Sequence, residues 1–143
     1  SASARRTQAL PSMRANTVHP LWKIYEVPHP YWECDDLPSL EKQKHTTLPF
    51  CYIIKIVDMD YCKVGSTGNI RSRLNGYKVG LPFELGLIFA ISAGTDGEHI
   101  MIERKAHSML SPKKVRGEWF NCTAYEAIDA VRQAAVWTEE FMK

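Results

Sequence analysis

No apolar run in this 143-residue chain approaches the roughly 18–20 residues that cross a bilayer. Ser1 to Leu10 also lacks the apolar core of a secretory signal. These two absences lead to the expectation of an intracellular protein, cytoplasmic or nuclear, that is not secreted. Cysteine is sparse. Cys34, Cys51, Cys62 and Cys122 form no Cys-x-x-Cys and no close pair, and His19, His29 and His45 do not complete a zinc-ligand spacing with them. Reduced thiols are therefore expected. There is no internal repeat and no low-complexity tract. The net charge of +2 is too small to announce a nucleic-acid binder by itself.

What is present suits a soluble globular chain of about one domain, with 45% hydrophobic and 24% charged residues. The charge is unevenly spread. From Thr47 to Asn121 ten Lys and Arg face seven Asp and Glu, whereas from Cys122 onward there are two against four, so the positive excess lies in the middle of the chain. Residues 1–47 read as an irregular N-terminal extension, broken by Pro11, Pro20, Pro28, Pro30 and Pro38. Trp22, Tyr25, Tyr31 and Trp32 are too apolar to remain in water, so this region packs on the domain or grips a protein partner. Leu21 to Val27 is a candidate edge strand within it.

Residues 48–143 read as one α+β domain. Phe50 to Val57 is β-branched and aromatic, which suits a buried strand. Asp58-Met59-Asp60 forms a turn, Tyr61 to Val64 the returning strand, and Leu85 to Ser92 a third. A short helix runs from Ile70 to Leu74, ended by Asn75-Gly76. Thr95 and Glu98 form a capping box for a helix ending near Leu110, before Ser111-Pro112. Thr123 and Glu126 form another, opening a C-terminal helix to Phe141 with Ala127, Ile128, Val131, Ala134, Ala135 and Phe141 buried.

Four residues could carry chemistry. Glu103 falls at the margin of its helix's apolar face, one turn before His107. An unpaired carboxylate there is costly, so it is either paired with a base or held for a hard cation such as Mg²⁺. Arg73 lies on a helix whose start is rich in glycine and hydroxyls; it is either a surface cation or a fork for two phosphate oxygens. Tyr52 in a strand is normally core, and Lys63 near a strand end normally faces solvent. Arg71, Lys113, Lys114 and Arg116 could hold a nucleic-acid backbone, or could be solvated charges. Gly117-Glu118-Trp119-Phe120 reads as an apolar anchor for that basic turn, with Glu118 either a cap or a second acidic group.

Taken in order, Tyr52-Ile53-Ile54, Lys63-Val64-Gly65-Ser66-Thr67, Arg73-Leu74, Ile102-Glu103 and Gly117-Glu118-Trp119-Phe120 resemble the GIY-YIG nuclease superfamily. They are closest in pattern to its phage-associated, meiotically-up-regulated-gene-like branch. The resemblance covers Pro49 to Phe120 and rests on the eight-residue step from Gly65 to Arg73 and on the closing Gly-Glu-Trp-Phe. The pattern departs in three places. Phe50 or Cys51 replaces the first glycine, Lys63 replaces the usual second tyrosine, and only Asn121 offers itself as the late asparagine.

The resemblance implies a small three-stranded antiparallel sheet flanked by helices. It also implies a metal-dependent endonuclease that cuts nucleic acid, DNA foremost, with one Mg²⁺ or Mn²⁺ ion. Tyr52, Lys63, Arg73 and Glu103 become the catalytic set, Glu103 as metal ligand and Lys63 as the cation lowering the pKa of Tyr52. The four are expected on one concave surface. Two rivals remain open at this point: a catalytically silent nucleic-acid-binding module, and a protein-interaction module using the aromatic N-terminal region.

Overall fold

The computed structural model describes residues 23–26, 49–77, 82–93 and 97–142. Strand β1 is Lys23–Glu26, β2 Phe50–Ile56, β3 Cys62–Thr67, and helix α1 Ile70–Tyr77. Then come β4 Leu85–Ser92, α2 Glu98–Leu110, a 3₁₀ turn Ser111–Lys113, β5 Lys114–Arg116, β6 Trp119–Phe120 and α3 Ala124–Phe141. The strands form one antiparallel sheet in the order β1-β4-β2-β3-β6-β5.

The apolar run that opens β2 has a direct cause: the strand is covered on both faces. Cys51 and Ile53 enter a core with Ile102, Ala106 and Leu110 of α2 and the alanine-rich side of α3. Phe50, Tyr52 and Ile54 enter a second core with Ile70 of α1, Leu87 and Ala90. A register shift against β4 falls between Ile53 and Ile54. It lets Ile88 and Phe89, although adjacent, both serve the first core.

The three expected strands are the centre of the sheet, but the sheet has six strands, not three. β1 pairs along β4, with Ile24 opposite Ile91. On the other side β6 pairs with β3, with Trp119 opposite Lys63, and β5 follows it. These additions cover edges that would otherwise expose unpaired backbone groups. β1 lies within the candidate edge strand Leu21 to Val27 and is the outer strand of the sheet, whereas β5 and β6, at three and two residues, are too short to show a period of two.

Helix α1 runs through Asn75-Gly76 to Tyr77 rather than ending before them. Asn69 caps it, its Oδ1 accepting from the Ser72 N–H at 3.0 Å. The extra turn carries Tyr77 onto the second core, and that packing outweighs the cost of a helical glycine, about 1 kcal/mol. The expected Thr95 cap lies outside the described residues; Gly97 occupies the N-cap of α2. The Thr123–Glu126 capping box of α3 is complete. Phe141 is not part of the buried stripe: burial ends at Thr138, and Phe141 is 64% exposed, stacked on Trp137.

One close approach ties the fold to the site. Tyr52 stands opposite Gly65 in the β2–β3 register, and its phenol lies across that glycine. A Cβ at position 65 would fall 2.6 Å from the Tyr52 hydroxyl and 2.7 Å from Cζ. Gly65→Ala is accordingly expected to destabilise the protein by about 1–3 kcal/mol, the usual range for overpacking. Urea unfolding should show the loss shrinking in a Tyr52→Leu background, where the ring is gone; an equal loss in both backgrounds would deny the contact.

Candidate active site

Alternation along β3 sends Lys63 and Gly65 to the side of Tyr52, and Val64 and Ser66 to the side of α2. On the first side the Tyr52 hydroxyl lies 3.0 Å from that of Tyr77. Arg73, one helical turn before Tyr77, is held more firmly protonated by its interactions with the Tyr77 hydroxyl first and then Tyr52. The Lys63 ammonium lies 5.7 Å from the Tyr77 ring centroid and 6.0 Å from that of Trp119. It pairs with the Glu118 carboxylate at 3.0 Å.

On the second side Glu103 projects from α2 and is 13% exposed. Ser66 Oγ donates to its Oε1 at 2.7 Å. His107 Nε2 lies 3.7 Å from Oε2 and also meets the Val64 carbonyl at 2.7 Å, so this ring is fixed by backbone. Its edge rests on Phe120.

Glu118 joins the two sides around the edge of β3. Its carbonyl accepts from the Val64 N–H at 3.2 Å. Its carboxylate holds Lys63 and lies near enough to Glu103 for each to perturb the other's protonation. Burial raises the pKa of Glu103, and the bond to Glu118 and its charge add to that, against the opposing pull of Ser66. Burial also pushes Glu118 upward, but its bonds to Lys63 and Glu103 prevail and leave it below the ordinary value. The two carboxylates are thus coupled, and protonation is favoured at Glu103 over Glu118.

The four expected catalytic residues are linked but do not share one concave surface, because Tyr52 is fully buried. Tyr52, Lys63 and Arg73 cluster with Tyr77 on the α1 side, and Glu103 reaches them through Glu118. The expected role of Lys63 also changes. Its charge is committed to Glu118, and the cation that pulls the Tyr52 phenol downward is Arg73. Burial, followed by the bond to Tyr77 and its proximity, overrides that pull and leaves Tyr52 well above its ordinary pKa.

The basic residues are more dispersed. Lys113 pairs with Glu126 at 3.1 Å, against the start of α3. Lys114 and Arg116 are exposed on the edge strand β5. The side chain of Arg71 lies outside the described ones. Asn121 is exposed, its backbone N–H bonded to the Lys113 carbonyl at 2.8 Å. Tyr77, Ser66 and His107 join the site although the sequence pattern does not single them out for it. Signals for them exist: Tyr77 is four residues past Arg73 on one helix, His107 four past Glu103, and Ser66 is the residue that alternation turns toward α2.

Among the described residues, no group of three or more His, Cys, Asp or Glu side chains is placed to hold a metal ion. The donor set nonetheless suits a hard cation. Mg²⁺ is commonly held by one or two carboxylates, with water and phosphate oxygens filling the rest. Cys51, Cys62 and Cys122 are free thiols, as expected.

Fold and site together define an α+β domain with a central antiparallel sheet and a linked tyrosine, cation and carboxylate group at the β3 edge. Residues 49–135, more than half of the chain, match the T5orf172 domain, and the protein belongs to that family. T5orf172 is a phage-associated domain found in GIY-YIG/HNH-like nuclease-related proteins. Neither the curated proteins nor the solved structures yield a match. No helix among the described residues is long and apolar enough to cross a membrane.

The raised pKa of Glu103 fixes the sign of its effect on stability. The folded state binds its proton more tightly than the unfolded chain, so the favourable contribution is full below the ordinary glutamate pKa and is lost as pH rises through the folded value. Glu103→Gln, which imitates the protonated form, should raise Tm at pH 7.5 in EDTA. The gain should shrink toward pH 4, near the unperturbed glutamate value of about 4.3. Thermal melts across that range check it; a variant less stable than wild type at pH 7.5 would reverse the sign.

Proposed function

We propose that this protein is a GIY-YIG-type endonuclease that hydrolyses nucleic-acid phosphodiester bonds, those of DNA foremost, with a divalent metal. The observation that carries this reading is the junction at Glu118. It brings a hydroxyl pair and two cations from one side of β3 to a hydrogen-bonded carboxylate from the other.

Glu103 would hold one Mg²⁺ or Mn²⁺, with Glu118 beside it; when bound, that ion acts as a Lewis acid on the scissile phosphate. Arg73 stabilises the negative charge that builds on the phosphate oxygens. Tyr52, fully buried, would orient the attacking water through the hydroxyl of Tyr77. Because its neutral phenol is favoured, it does so by hydrogen bonding and not as the base, and the proton of the attacking water leaves to bulk solvent. Lys63 meets the backbone phosphate, while Lys114 and Arg116, and Arg71 and Lys113 with them, supply sequence-independent contacts.

A second reading is a nucleic-acid-binding module on the same fold that lacks turnover. It is favoured by the engagement of Lys63 with Glu118 and by the raised pKa of Tyr52. Nicking of supercoiled plasmid with Mg²⁺ or Mn²⁺ separates the two. Wild type should cut, and Glu103→Gln should bind DNA without cutting. Arg73→Ala should lose about a hundredfold or more in rate, the scale of one removed charge-stabilising group. Absence of cleavage by wild type on duplex and single strands, with either metal, would leave the binding module.

The basic turn has its own test. Replacing Lys114 and Arg116 by alanine should weaken binding evenly across sequences and flatten the salt dependence by about one unit for each phosphate no longer neutralised. Lys113→Ala should do less, because its charge is already paired with Glu126. Anisotropy titrations over a salt series measure all three; an unchanged slope in the double variant would place the groove elsewhere.

A further inference from the structure

The turn between β5 and β6 is tight. Arg116 and Trp119 face each other in register, so Gly117 and Glu118 are its two central residues, and Gly117 has φ 57°. That left-handed conformation favours glycine. The turn delivers Glu118 to β3 twice, through its carbonyl on the Val64 N–H and its carboxylate on Lys63. Lys63 is 16% exposed, between the rings of Tyr77 and Trp119, whereas Glu118 is 40% exposed. The carboxylate is thus the outer partner, and an anion seeking the ammonium must take its place.

We propose that Glu118 is a latch on the phosphate position: in the free protein it neutralises Lys63, and a nucleic-acid phosphate binds by displacing it. This inference rests on the nucleic-acid reading and adds to it a contact that holds the site closed against weaker anions. The ion pair is lost when the phosphate arrives, so each binding event includes the cost of breaking it. Removing the carboxylate removes that cost. Position 118 contributes to the fold through its backbone carbonyl, which any side chain leaves in place.

The test is a double-mutant cycle of DNA affinity in EDTA, where no metal-dependent cleavage occurs, using a short labelled duplex and a salt series. Glu118→Gln should bind at least about threefold more tightly at low salt. Its log–log salt slope should stay the same, because Lys63 neutralises one phosphate in both proteins and only the cost of displacing Glu118 differs. In a Lys63→Met background the gain should vanish, while the slope flattens by about 0.9, one phosphate no longer neutralised. Glu118→Ala serves as a second variant should the glutamine form misfold. A gain of equal size with and without Lys63 would be a general effect of removing negative charge and would overturn the latch, as would no gain at all. Wild-type binding without a Lys63-dependent gain overturns the latch alone, whereas no binding by any variant to duplex or single strands overturns the nucleic-acid reading with it.

Discussion

Phe50 to Ile54 must satisfy two cores at once, and most of the molecule is arranged around that demand. One set of β2 side chains is covered by α2 and α3 and the other by α1, so no residue of this stretch can face water. Burial on both faces leaves Tyr52 one outlet for its hydroxyl, along the ring toward Tyr77. It also requires the opposite residue on β3 to be glycine, because the phenol occupies the space of a side chain there. A substitution in β2 is therefore felt in the core and in the site together.

The site is held at an electrostatic cost. Glu103 is largely withdrawn from water and touches a second carboxylate, an arrangement that stability alone would not favour. Ser66 and His107 stabilise one end of it and Lys63 the other, through Glu118. Such strain is common where a group is kept ready to act and uncommon where it merely fills space. The backbone around it is correspondingly firm: Val64 contributes its carbonyl to His107 and its N–H to Glu118.

The sheet's edges explain how these groups come together. β6 has two residues, yet it sets Trp119 against Lys63 and brings Glu118 to the point where both sides of β3 can be reached. Short strands of this kind add little apolar burial. Their value is positional, since a strand held by backbone hydrogen bonds places its side chains more firmly than a loop does.

The central elements were legible in the sequence because their causes are local or strongly periodic. β2 and β4 show sustained apolar runs, and the α3 capping box lies within four consecutive residues. The grouping of Tyr52, Lys63, Arg73 and Glu103 was implied by the resemblance to a known family and not by spacing alone, which left each residue's ordinary role open. Sequence alone could not determine the end of α1, since Asn75-Gly76 is a stop signal that only packing of Tyr77 overrides. Nor could it determine that Lys63 serves Glu118 rather than Tyr52, or that the pKa values of Glu103 and Glu118 move in opposite directions. Those outcomes depend on contacts between residues 14 to 55 positions apart, where burial and pairing compete over fractions of an ångström that no local pattern records.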